Sequence, residues 1–189
     1  MKLIITTLIL LFTQHLFAEI RIGIDSNVVQ DSKDLSTSTN SNQTFYDGSM
    51  KVQLAWGGGL YLGIGYVQST TTEPVSTTQQ YTIASNYPYA GFSYFFGTDQ
   101  LFSLEANWMP NITAEYTQSG TSGSEIWTGN GSYGKFTIQP KITPYLSVQL
   151  TIGYISANYT SKSATTAITT KTSFSRAITM PMIGFQFIF

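Results

Sequence analysis

The side chains that most often do chemistry are scarce in this chain: there is one histidine, His15, and no cysteine. His15 follows the apolar run Leu3 to Phe12 and precedes Leu16-Phe17-Ala18, a setting without a partner acid or nucleophile at fixed spacing. If that segment is removed, the usual general base goes with it, as do the Ser-His and Cys-His nucleophile pairs and the common zinc ligands. What remains for acid–base work is carboxylates, chiefly Asp25, Asp47, Glu105 and Glu115. A catalytic pair needs two of them converging in a cleft. The alternative is that they neutralise Lys51, Lys135 and Arg176 in an interior that must keep buried charges paired. The run Gly57-Gly58-Gly59 with Gly63 and Gly65 fails as a nucleotide loop, because Leu62 stands where the third glycine is required and no helix follows. These residues point away from an enzyme, and no cofactor or metal is expected.

The elements that would position these charges begin after the N-terminus. Met1-Lys2, a mainly apolar run of ten residues from Leu3 to Phe12 and a short polar stretch ending in Ala18 follow the order of a secretory signal peptide. A run of ten is too short for a spanning helix, so residues 1–18 are expected to be a leader and residues 19–189 one exported domain. No later apolar run approaches the ~18 residues a helical span needs. The charge is −1 with 10% charged residues, which argues against a nucleic-acid partner. Twelve Tyr and twelve Phe, with abundant Ser and Thr, suit sheets with one greasy and one polar face.

Period-two alternation recurs along the chain. Ile20, Ile22 and Ile24 oppose Arg21, Gly23 and Asp25, and Met50, Val52, Leu54 and Trp56 oppose Lys51, Gln53 and Ala55. Leu60, Leu62, Ile64 and Tyr66 share a face, as do Ala90, Phe92, Tyr94 and Phe96. The next run sets Phe102, Leu104, Ala106, Trp108, Ile112 and Tyr116 against Ser103, Glu105, Asn107, Thr113 and Glu115. Phe136, Ile138 and Ile142 oppose Lys135, Thr137, Gln139 and Lys141, and Leu146 through Tyr154 alternates likewise. The last segment ends Ile183-Gly184-Phe185-Gln186-Phe187-Ile188-Phe189. Polar stretches near residues 29–43, 69–80, 118–124 and 160–171 read as long solvated loops, and Gly57–Gly59, Gly97–Asp99 and Thr143-Pro144 as short turns. Eight strands joined long, short, long, short, long, short, long put all long loops at one end and both termini at the other.

The fold expected is all-β: an eight-stranded antiparallel up-and-down transmembrane barrel. A soluble sandwich or barrel also alternates, but its water-facing side carries more charge than the Ser, Thr, Gln and Gly found here. In a barrel the charges face inward. Asp25, Lys51, Glu105 and Lys135 lie about six to eight residues from the short-turn end, which predicts two ion pairs between neighbouring strands, Asp25 with Lys51 and Glu105 with Lys135, able to merge into one cluster. Asp47, Glu115 and Arg176 are expected to form a second layer above, with Arg21 and Lys141 near the short-turn end. Aromatic residues near strand ends read as two interface belts: Trp56, Phe96, Phe102, Tyr145 and Phe187 below, and Tyr66, Tyr89, Tyr116, Trp127 and Tyr154 above. Pro88, Pro110, Pro140 and Pro181 fall inside strands and require bulges or strand ends.

The last strand, with Ile183, Phe185, Phe187 and the terminal Phe189 on one face, resembles that of the small bacterial outer-membrane barrels of the OmpA/OmpX/OmpW-like group. That resemblance implies a terminal strand recognised by the barrel-assembly machinery, residence in the outer membrane with both termini periplasmic, and lipid contact around the wall. A monomer is expected, because closure leaves no edge to pair. Two functions stay open at this stage. One is a structural or surface-interaction role, displaying four polar loops over a filled lumen; the other is a porin-like channel or carrier for small solutes or apolar compounds.

Overall fold

The computed structural model describes residues 19–27, 31–33, 40–54, 58–74, 79–164, 169 and 172–189; the expected leader with His15, and Trp56 and Gly57, lie outside them. Eight strands form the wall: β1 (Ile20–Asn27), β2 (Asn40–Gln53), β3 (Leu60–Pro74), β4 (Gln80–Phe96), β5 (Phe102–Gln118), β6 (Ser124–Ile138), β7 (Leu146–Ala164) and β8 (Phe174–Ile188). Two three-residue pieces, Asp31–Lys33 and Lys141–Thr143, pair with β2 and β7. Every neighbouring pair is antiparallel, and β1 pairs with both β2 and β8, so the sheet closes on itself. Closure is sealed where the chain ends meet: Ile20 N–H donates to the Phe189 carbonyl at 3.1 Å and Phe189 N–H returns to Ile20 at 2.9 Å.

The register fixes the barrel's shape. Following partners from Arg21 through Lys51, Gly63, Gly91, Asn107, Tyr133 and Ile155 leads to Ile178 on β8. Arg21 itself pairs with Ile188 on that strand, so one circuit advances ten residues along the chain. Eight strands with that stagger tilt by about 40° and leave a lumen roughly 16 Å across between opposite Cα atoms, room for side chains alone.

The alternation read from the sequence decides which face is which. Outside are Ile24 at 59% exposure, Trp108 at 65% and Phe185 at 52%. Inside are Arg21, Asp25, Lys51, Glu105, Lys135 and a lining of Ser, Thr and Gln, all nearly inaccessible. A water-soluble barrel has the opposite arrangement. The short connections gather at the end holding both termini. The first uses Gly58 and Gly59 at φ 43° and 122°, and a Cβ on Gly59 would run into the Phe95 carbonyl. The strands also run further into the polar stretches than expected: Thr70, Thr71 and Thr72 pair with Ala84, Ile83 and Thr82, and β7 continues past Thr160 to Ala164. Threonine is β-branched, so a polar Thr-rich run still makes good strand.

Two irregularities reset the phase. Between Met109 and Ile112 the pairing with both β4 and β6 slips by one, placing a bulge at Pro110-Asn111, and a second slip skips Thr160 on β7. Met109, Ile112 and Ala114 all point inward as a result. This corrects the uninterrupted alternation read for β5: Ile112 is buried inside rather than outward with Trp108, and Glu115 is exposed on the outer face. Three prolines sit where the ladder breaks. Pro110 is in the bulge, Pro88 opposite the slip and Pro140 between strands, whereas Pro181 keeps its place on β8 opposite Ile152 of β7.

Candidate functional site

The lumen is built in tiers. At the short-turn end Arg21 meets Glu19 at 2.5 Å, donates to Gln186 at 3.1 Å and bonds the Gln100 side chain. Its guanidinium lies 4.1 Å from the Phe95 ring centre and 5.0 Å from that of Tyr61, so the cation is held by aromatic faces as well as acceptors. Lys141 takes no part and is exposed.

The middle tier joins opposite walls. Lys51 on β2 reaches Glu105 on β5 at 2.6 Å, and Lys135 on β6 reaches Asp47 on β2 at 2.7 Å. Lys135 also stands 3.5 Å from Glu105 and 3.8 Å from Asp25. Tyr89 and Tyr133 donate to the two oxygens of Asp47 at 2.7 and 3.0 Å. The sequence reading paired neighbours, whereas the shortest pairs cross the lumen. A lysine and a carboxylate reaching from different sides together bridge most of the lumen's width, so distant strands compete well with adjacent ones. Glu105 and Lys135 are register partners and do touch; no ion pair joins Asp25 to Lys51. Asp47 belongs to this tier, directly opposite Asp25 on the neighbouring strand, rather than to a higher one. Three carboxylates therefore share two ammonium groups. Asp25 is the poorest served, with Oδ1 buried and lacking a hydrogen-bond partner. Space for it comes from Gly184 across the ladder, where a Cβ would stand 2.8 Å from the Asp25 Cα.

Above lies an apolar plug of Phe45, Val67, Met109, Ile112, Ile155 and Met180, with Tyr87 and Tyr159 among them. The top tier is centred on Glu125, which the sequence reading passed over. It accepts from Thr169 N–H at 2.6 Å, Thr169 Oγ1 at 2.9 Å and Trp127 Nε1 at 3.2 Å, and faces Lys162 at 3.3 Å. Counting back by twos from Lys135 reaches Glu125, so parity along β6 contained the signal. Arg176 stands apart from Asp47 and Glu115 and donates to Thr71 Oγ1 at 3.0 Å. The upper aromatic belt is also revised: Tyr89 and Trp127 are buried in the lumen and Tyr116 packs 4.8 Å from Tyr81. Tyr46, Tyr66 and Tyr154 remain outside above, with Tyr145 and Phe187 below.

No family model matches the chain, and no curated protein sequence matches it. Solved structures do. Neisserial surface protein A superposes with TM-score 0.56 at 12% identity, covering 91% of this chain and 97% of that one. The fold is that of the small eight-stranded outer-membrane barrels. The attachment invasion locus protein Ail of Yersinia pestis matches with TM-score 0.50, also at 12% identity and over the same shares of the two chains. An identity this low carries architecture alone, as expected for a fold whose requirement is alternation and closure.

Proposed function

We propose that the protein is an outer-membrane barrel with a side-chain-filled lumen and no turnover, which acts by presenting its loop end at the cell surface. One observation carries the reading: at mid-height two ion pairs, Lys51 with Glu105 and Lys135 with Asp47, cross the lumen beneath a tier of fully buried aliphatic and aromatic side chains. Charges so placed hold walls together and leave no continuous water path. The apolar outer face supplies lipid contact. Tyr145, in the turn before β7, and Tyr154 on that strand stand about 23 Å apart along the barrel axis, close to the height of an outer-membrane apolar band. Residues 1–18 act as the export leader, the terminal strand Ile183 to Phe189 is the segment the assembly machinery reads, both termini are periplasmic, and the barrel is monomeric.

Planar-bilayer recording of the refolded protein tests the filled lumen. The expected outcome is no reproducible step; a steady conductance abolished by Lys51→Met would overturn it. A carrier for apolar compounds is the second reading, favoured by one feature: an apolar hollow on the outer wall, lined by Met50, Leu62, Ile64, Phe92 and Trp108. Uptake of an apolar dye into vesicles holding the protein, with conductance still absent, would favour that reading instead.

A further inference from the structure

At the loop end two pockets share one residue, Glu73. The first, about 330 Å³, is an aromatic cup of Tyr81, Tyr116, Trp127 and Phe174. Tyr81 and Tyr116 pack 4.8 Å apart, Trp127 meets Phe174 edge-on at 4.9 Å, and Glu73 stands opposite Tyr81 on the adjoining strand. The second, about 390 Å³, is polar and presents Gln43, Thr71, Ser175 and Arg176.

Several aromatic groups of the lumen, Trp127 of the cup among them, have a cation: Arg21 lies at Phe95, Lys135 at 5.5 Å from Tyr133, and Lys162 at 5.2 Å from Trp127. Tyr81, Tyr116 and Phe174 have none among the described residues, yet a carboxylate, Glu73, is set beside them and joins no ion pair there. Arg176 is the reverse case. One guanidinium nitrogen bonds Thr71, the other, Nη1, is buried without a partner, and no described carboxylate lies within ion-pair distance. The mouth thus offers a cation site and an anion site side by side. Aromatic faces attract a cation without accepting conventional hydrogen bonds, which favours a methylated ammonium over one that must give up hydrogen-bonded water. A guanidinium with free donors suits a phosphate or carboxylate.

We propose that this mouth binds a small zwitterion, a methylated ammonium linked through a few atoms to an oxyanion, the chemistry of a phosphocholine head group. The ammonium sits in the Tyr81–Tyr116–Phe174 cup beside Glu73, and the oxyanion on Arg176. This deepens the surface-interaction reading and rests on the loop end facing outward. A conducting lumen would sink the filled-lumen reading without touching the pocket, and absent binding would sink the pocket alone.

The test is calorimetric titration of the full refolded chain in polyoxyethylene-ether micelles. Choline phosphate is expected to bind. Choline, ethanolamine phosphate and the uncharged isostere 3,3-dimethylbutan-1-ol are each expected to bind about fivefold more weakly or worse. Arg176→Met should reduce choline phosphate to the level of choline, and Glu73→Gln should weaken both by about fivefold, with heat-modifiable gel mobility showing that each variant is still a closed barrel. Equal binding of the isostere, indifference to both substitutions, or no heat up to about 100 mM ligand, beyond the weakest useful affinity, would overturn the proposal. Phosphatidylcholine vesicles mixed with protein in phosphatidylglycerol nanodiscs separate the sources. Co-sedimentation displaced by choline phosphate marks a membrane-displayed head group; soluble binding without it marks a free molecule.

Discussion

Among the described residues, Lys135 is the one ammonium that touches three carboxylates, Asp47, Glu105 and Asp25, so its removal leaves more uncompensated charge there than loss of Lys51. Lys135→Met should destabilise the barrel by about 3–5 kcal/mol, the usual cost of stripping one partner from a buried pair. Urea unfolding in phospholipid vesicles, followed by tryptophan fluorescence, measures it; a change below about 1 kcal/mol would mean that water reaches the cluster. Asp25→Asn should behave oppositely. It removes a buried charge that faces Asp47 across the ladder and is the poorest compensated of the three, so the expected change is within about 1 kcal/mol of zero or stabilising in the same assay. Which residues enter the lumen was legible in the sequence for Asp25, Lys51, Glu105 and Lys135, because period two needs only local order. Their partners were not. Pairing across a tilted ring depends on the ten-residue stagger, which the sequence of any one strand does not contain.

The bulge at Pro110-Asn111 shows what alternation alone misses at the level of the strand. One added residue turns Ile112 and Ala114 inward and leaves Glu115 outside, although the run from Phe102 to Tyr116 reads as the cleanest alternation in the chain. Pro110 gave a hint, since a proline inside a ladder demands an irregularity, but not the direction in which the phase resumes. Deleting Asn111 takes out the added residue, so pairing can run on without a break while Ile112 and Ala114 stay inward and Glu115 stays outward. The deletion variant should therefore keep the fast-migrating unboiled band that marks a closed barrel; loss of the band would mean that the ladder needs the bulge itself to accommodate Pro110. Glu125 escaped notice, and Trp127 read as an interface anchor, for a related reason. They lie just after a polar loop, where the start of the strand was uncertain, although their parity agrees with Lys135.

For the molecule as a whole, closure and composition divide the work. The outward Ile, Leu, Phe and Trp side chains suit hydrocarbon, while among the described residues the buried polar and charged side chains lie in the lumen. Strand number, loop order and the shared end of the termini were all readable, because each follows from counting alternating runs and the lengths between them. Function was less readable, since small barrels with the same architecture differ mainly in what their loop ends carry. Here that end holds inward aromatic side chains that looked from the sequence like bilayer anchors. The same residue types serve both purposes, and only the register distinguishes them.

The hydrogen bonds between Ile20 and Phe189 mean that the ring has no structural beginning. Joining the two ends by a short flexible linker and opening the chain instead within the 119–123 connection should yield a circular permutant that still folds into the same barrel. Its terminal strand would then be β5, ending on Thr117-Gln118, with no aromatic at its end. If that permutant refolds in detergent but fails to reach the outer membrane in cells, the information for closing the sheet and the information for delivering it are carried by different residues of one polypeptide.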